Sequence, residues 1–161
     1  MEAFDQLELI TEVSATLLGF VAVFLALSNN KGRFDESDRH FVQALVLCST
    51  CCIVAGLTPR ALSLFLVDNL WTYGLIVFLI SGVLTMSIMA WTQLSMPPEE
   101  NAKVHALWHV PAWSLGVIAT VLVIIGLFQT HQAHAFYVAA ASLLVGIAVW
   151  SFISIVFRRF F

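Results

Sequence analysis

Three carboxylates near the start of the chain, Asp5, Glu8 and Glu12, are the first residues whose types and spacing could serve chemistry. Separations of three and four residues place them on one face of a helix. Glu12 also falls inside the apolar segment 9–28, and an ionisable residue in a membrane span is a candidate for function. The span that follows Glu12 reaches only about 24 Å, which is short for a hydrocarbon core of ~30 Å. We therefore predict that Glu12 lies at the membrane boundary.

Two roles are open to this acidic stripe of Asp5, Glu8 and Glu12. The carboxylates could form the mouth of a cation path, or one of them could form a structural ion pair. The basic partner would be Arg60, the one Lys or Arg predicted on the same side of the membrane. Because isolated charges in a membrane usually find partners, a pair of Arg60 with Glu12 or Glu8 is the favoured interpretation.

Histidine pairs occur at two places. His131 and His134 fall in a predicted loop on the same side as the acidic stripe, and imidazole together with carboxylate is a ligand set for Zn²⁺. His105 and His109 are one helical turn apart but lack the glutamate of an H-E-x-x-H motif. Spacing alone is weak evidence for metal, so solvated loop or interfacial histidines are the favoured interpretation of both pairs.

Sulfur is concentrated in two neighbouring apolar segments. The stretch CSTCC places Cys48, Cys51 and Cys52 on one face of the second segment, and the third segment holds Met86 and Met89. Thiolate and thioether ligands select Cu(I), so copper handling is one interpretation. The alternative is ordinary packing, because cysteine behaves as a small buried hydrophobe and methionine fills gaps. Packing is the favoured interpretation.

Motifs of known catalysis are absent from the sequence. It contains no nucleophile elbow, P-loop or Gly-rich dinucleotide fingerprint, and none of its loops is long enough to form a catalytic domain. It also lacks a basic stretch of the kind that binds nucleic acid. We therefore predict a protein that is not an enzyme, uses no cofactor and does not bind nucleic acid.

The elements that must position these residues are membrane spans. Hydrophobic residues make up 60% of the chain and charged residues 11%, against about 25% charged in soluble domains. Residues 104–157 contain no Asp, Glu, Lys or Arg, as is typical of transmembrane helices. We predict a single all-α domain over residues 1–161, a polytopic bundle of five transmembrane helices in contact with the lipid bilayer. Their approximate bounds are 9–28, 41–66, 72–95, 109–128 and 135–157.

Two features of the topology follow from loop residues. Pro59 interrupts the second segment, which either ends there or continues through a kink. Basic residues fall six to one on the side of the first and third loops and the C-terminus, which predicts an outer N-terminus and a cytoplasmic C-terminus in an inner (plasma) membrane. The six are Lys31, Arg33, Arg39, Lys103, Arg158 and Arg159.

Small residues recur at helical spacing in three segments, where they would let helices pack closely. The first seam is Ala15, Gly19, Ala22 and Ala26, the second is Ala112, Gly116 and Ala119, and the third is Ala135, Ala139, Ser142 and Gly146. We expect most of them to pack within one five-helix bundle. Three seams in so small a bundle leave some for a second copy, so a homo-oligomer is predicted.

Three functions are compatible with these patterns. The first is an oligomeric cation channel or transport-related protein with the acidic stripe at its outer mouth. The second is a non-catalytic packing or accessory subunit that binds another membrane protein. The third is a membrane protein that handles copper or zinc.

Overall fold

The computed structural model describes residues 2–28, 36–65, 68–104 and 110–160. Within these ranges every regular element is a helix. They are α1 (Glu2–Ser28), α2 (Glu36–Ser63), α3 (Leu70–Leu94), α4 (Pro98–Val104), α5 (Val110–Phe128) and α6 (Ala133–Phe160), with a 3₁₀ turn at Thr130–Gln132. His105, His109, Lys31 and Arg33 lie outside the described residues.

Five of these helices, all except the short α4, are long and apolar enough to cross a membrane. The candidate spans are Ala3–Ala26, Asp38–Ser63, Leu70–Leu94, Val110–Phe128 and Thr130–Phe157. Large apolar side chains such as Phe20, Ile80 and Ile118 are exposed on the bundle surface, where lipid tails rather than water would cover them. The prediction of an all-helical, multi-pass membrane protein is confirmed at this level.

The helix bounds differ from the predicted ones at two places that matter for the site. α1 begins at Glu2 rather than near residue 9, so the whole acidic stripe lies on one helix. Negative side chains in the first turns of a helix interact favourably with its dipole, which explains the early start. α2 continues through Pro59 to Ser63, which answers the question of whether the second segment ends there.

The centre of the bundle is the pair α2 and α6. α6 packs against α1, α2, α3 and α5, and α2 also contacts α1 and α3. Phe20 on α1 contacts Phe152 on α6, which shows how the two helices pair near their C-terminal halves. We call the end at which α1 starts the N-terminal end of the bundle and the other the C-terminal end.

Gly56 on α2 sets the close approach of α1 and α2. A Cβ atom at this position would overlap Thr11 Oγ1 and would lie 3.1 Å from the Leu7 carbonyl oxygen. Thr11 in turn donates a hydrogen bond of 2.8 Å to that same carbonyl. A larger residue at this position would therefore displace the Thr11 side chain and press on the backbone of α1.

The expectation that most small-residue seams pack inside the bundle is wrong for two of the three. The second seam, on α5, is buried, and the space beside Gly116 is filled by Met86. The four residues of the first seam are all exposed. In the third seam Ala135, Ala139 and Ser142 are exposed and Gly146 is half-buried. α6 has small residues on both faces, and the opposite face, with Ala140, Ala141 and Ala148, is the buried one.

Candidate functional site

The acidic stripe lies at the N-terminal end of the bundle and meets Arg60 there. Arg60 Nη2 donates to Glu8 Oε2 at 2.6 Å, and the two side chains are 53% and 50% exposed. The pair joins α1 to α2. Arg60 lies in the last turn of α2, where its backbone carbonyl accepts a hydrogen bond from Ser63 Oγ. Since each side chain keeps half of its surface exposed, the pair contributes no more than about 1 kcal/mol.

Asp5 and Glu12 face away from the bundle. Both side chains are exposed, and within the described ranges neither forms an ion pair. The Glu12 backbone carbonyl accepts a hydrogen bond of 2.8 Å from Thr16 Oγ1. Of the two pairs expected for Arg60, the structure therefore forms the one with Glu8. Glu12 lies on the face of α1 that points away from the other helices. The acidic stripe does not line a path through the interior of a single bundle.

His131 and His134 are both exposed at the same end. The His134 ring lies against that of Trp71, with centroids 6.1 Å apart and the ring planes tilted by 57°. In the part of the chain that the structure describes, no group of three His, Cys, Asp or Glu side chains is placed to hold a metal ion. A zinc site of two histidines and two carboxylates thus has no support from the geometry.

An aromatic cluster around Tyr137 was not predicted from the sequence. Tyr137 on α6 is fully buried, and its ring lies 5.9 Å from Trp71 and 5.4 Å from Phe78. Its edge also fills the space beside Gly74, where an added Cβ would lie 3.2 Å from the ring. The cluster ties α6 to the first half of α3.

The Tyr137 hydroxyl explains how α2 tolerates Pro59. Proline has no N–H, so the carbonyl four residues earlier, that of Ala55, loses its helical hydrogen bond. The Tyr137 hydroxyl donates to this Ala55 oxygen at 2.7 Å, and Ala55 and Pro59 are both buried. A neighbouring helix therefore satisfies the acceptor that the proline leaves free, as apolar surroundings require. The signal in the sequence was Pro59 alone, because nothing marks a tyrosine 82 residues away as its partner.

The three cysteines are free thiols, all buried, but they face different neighbours. Cys51 Sγ lies 3.4 Å from Ser81 Oγ on α3. Cys52 Sγ lies 3.7 Å from the Ala141 carbonyl oxygen on α6. The predicted common face of α2 is thus divided between two helices.

Cys48 borders a small cavity of about 20 Å³ between α2, α3, α5 and α6. Met86 and Met89 on α3 line the same cavity. We call it the sulfur cavity, after Cys48, Met86 and Met89. The structure therefore brings together three of the five sulfur residues that the sequence singled out.

A second, larger cavity of about 230 Å³ lies at the C-terminal end of the bundle, between α2 and α3. Its lining is mainly polar and includes Arg39, His40, Thr92 and Met96. Thr92 Oγ1 lies 3.4 Å from His40 Nδ1 and donates a hydrogen bond of 2.9 Å to the Met89 carbonyl oxygen. We call this cavity the polar mouth. The sequence does not predict it, because its residues come from α2, from the end of α3 and from the turn that follows α3, and they form no spaced motif.

The fold alone defines the class of protein: among the described residues, an all-helical bundle with five helices long and apolar enough to span a membrane. The chain matches no protein-family model, and no curated protein and no solved structure is similar to it.

Proposed function

We propose that this protein is a non-catalytic membrane subunit whose copies associate through the first seam, on α1. The observation that supports this function is the surface at Gly19. A Cβ added there would meet no other described atom within 4 Å, whereas one added at Gly116 or Gly126 of α5 would collide with a side chain. The sequence repeats the same small-residue pattern on both helices, and the bundle uses only that of α5.

The physical reason for association is the solvent. Lipid tails are as apolar as leucine, so helices in a membrane associate through close packing rather than through burial from water. A face of Ala15, Gly19, Ala22 and Ala26 lets a second backbone approach, and this face is exposed over its whole length. A partner of the same shape is another copy of α1, which would make the contact symmetric.

The location and orientation belong to the same proposal. The distribution of basic residues supports a cytoplasmic C-terminus in an inner membrane. The N-terminal end of the bundle, with Glu8, Arg60 and Trp71, would then be the outer end.

Replacing Gly19 by leucine is expected to dissociate the oligomer without unfolding the subunit. The new side chain has room on the monomer, but it would keep a second helix at a distance. The measurement is the mass of the protein in nanodiscs or mild detergent by light scattering. Gly82→Leu on α3 is the matched control, because Gly82 also has no described atom within 4 Å of an added Cβ. A wild-type monomer, or equal dissociation by both variants, would contradict the proposal.

A second candidate function, a cation path between copies, is favoured by one observation. Glu12 is exposed on α1, so association through α1 would bring the Glu12 side chains of several copies near one axis. The Glu12→Gln variant is then expected to lower cation flux in liposomes about tenfold, since the carboxylates would concentrate cations at the mouth. Asp5→Asn is the control, because Asp5 lies about two turns further from the seam. Absence of flux in the wild type, or equal flux in Glu12→Gln, leaves the packing subunit as the function.

A further inference from the structure

We propose that the sulfur cavity binds one soft monovalent metal ion, Cu(I) or Ag(I), through Cys48, Met86 and Met89. This site is separate from the α1 face, and the proposal does not depend on association of copies. It assigns a ligand to a cluster that neither the packing subunit nor the cation path uses.

The geometry supplies the ligands from two helices. Cys48 on α2 and Met89 on α3 are 3% and 4% exposed. Met86, one turn before Met89 on α3, lines the same cavity, and the end of its side chain packs beside Gly116 of α5. The cavity volume of about 20 Å³ is close to the smallest space that holds one water molecule. Its other walls are mainly apolar, with Ala112 and Ile147 among them, and an apolar cavity of this size does not retain water. Thr85 also lines the cavity, and apart from its hydroxyl the side-chain donors there are the three sulfurs.

Charge decides which ions fit. Thiolate and thioether sulfurs prefer Cu(I) and other soft ions. When a monovalent ion binds, the Cys48 thiol releases its proton to solvent and the resulting thiolate balances the charge of the ion. The two methionines are neutral, so the complex as a whole is neutral. A divalent ion would leave one uncompensated positive charge in the membrane, which is unfavourable, and zinc sites use nitrogen, oxygen or thiolate rather than thioether ligands.

In this proposal the ion would enter from the polar mouth at the C-terminal end of the bundle. The polar mouth includes His40 and Met96, an imidazole and a thioether that can receive the same ion. From His40 to Cys48 is about 12 Å along α2. Met89 lines the sulfur cavity, and its carbonyl accepts the hydrogen bond of Thr92, which borders the polar mouth. The two cavities thus follow one another along the interface of α2 and α3.

The test is titration of the purified, detergent-solubilised protein with Ag(I), a redox-stable substitute for Cu(I). Bound metal is measured by elemental analysis after desalting, and thiolate coordination by ultraviolet charge-transfer absorption. We expect about one Ag(I) per chain and about a tenfold or greater loss of affinity in Cys48→Ala. The double variant Met86→Leu/Met89→Leu is expected to show a similar loss, and it preserves side-chain volume, so folding is retained.

Cys52→Ala is the matched control, since Cys52 is a buried thiol of the same helix that faces the Ala141 carbonyl instead of the cavity. It should bind Ag(I) as the wild type does. Undiminished binding in the methionine double variant would overturn the proposal even if Cys48→Ala failed to fold. Equal loss in Cys52→Ala, less than about one-fifth of an equivalent bound by the wild type, or Zn²⁺ bound as tightly as Ag(I) would overturn it as well.

Discussion

Replacing Tyr137 by phenylalanine is expected to lower the free energy of unfolding by about 1–3 kcal/mol, although it removes a single oxygen atom. The lost hydroxyl donates to the Ala55 carbonyl at 2.7 Å, and Pro59 has left that carbonyl without its helical donor. An acceptor that stays buried with no partner loses its hydrogen bond and keeps the full cost of desolvation. The measurement is unfolding in mixed micelles, followed by tryptophan fluorescence.

The control for Tyr137→Phe is the same substitution in a Pro59→Ala background. Alanine at this position restores a backbone N–H that can donate to the Ala55 oxygen. The tyrosine hydroxyl then has a competitor, and its removal should cost less than about 1 kcal/mol. An equal cost of Tyr137→Phe in both backgrounds would show that the proline-freed carbonyl is not the reason for the hydrogen bond.

Replacing Gly56 by alanine is expected to destabilise the bundle by about 1–3 kcal/mol, the usual cost of forcing a methyl group into a packed interior. The added atom would overlap Thr11 Oγ1 and press on the Leu7 carbonyl, so α1 would have to move away from α2. The better helix propensity of alanine, about 1 kcal/mol, offsets only part of this cost. The measurement is again unfolding in mixed micelles.

Two variants separate this steric effect from a general effect of glycine. Gly19→Ala adds the same atom to α1 in open space, and its stability should be equal to or slightly above that of the wild type. In Gly56→Ala/Thr11→Ala the overlapping side chain is shortened, and most of the lost stability should return. If Gly19→Ala were as destabilising as Gly56→Ala, close approach at Gly56 would not be the cause.

The membrane spans could be predicted because their signal is local. A run without charged residues, such as 104–157, requires no knowledge of any partner to be assigned to a membrane. The predicted start of α1, near residue 9, is too late because Asp5 and Glu8 look polar by composition. The helix dipole favours both carboxylates near the start of α1, and Arg60 pairs with Glu8.

The faces of the helices were harder to predict, because packing in a membrane leaves no alternation of polar and apolar positions. On α6 small residues lie on both faces, and the buried face is the one that also holds Tyr137. The spacing that defined the third seam therefore selected the exposed side. Periodicity can identify a smooth helix surface, but it does not say which surface is covered.

The sequence predicts which types of residue could form a site, but not which of these residues lie together. Sulfur singles out Cys48, Met86 and Met89, but nothing in the spacing connects these three more closely than it connects Cys51 and Cys52 with them. Which of them share a cavity depends on the rotation of α2 against α3, and this is fixed by contacts such as Cys51 with Ser81 and His40 with Thr92. By sequence, Glu8 and Glu12 are likewise equal candidates for an ion pair with Arg60, and the stagger of α1 against α2 selects Glu8.

The central helix α6 is also the last one to be synthesised, which affects how the bundle folds during synthesis. α1 and α2 leave the ribosome well before α6, yet both pack against it in the finished bundle. During synthesis the Ala55 carbonyl has no partner from its own helix, and Tyr137 is translated 82 residues later. Until α6 is inserted, α1 and α2 therefore remain incompletely packed, either in the membrane or in the insertion machinery.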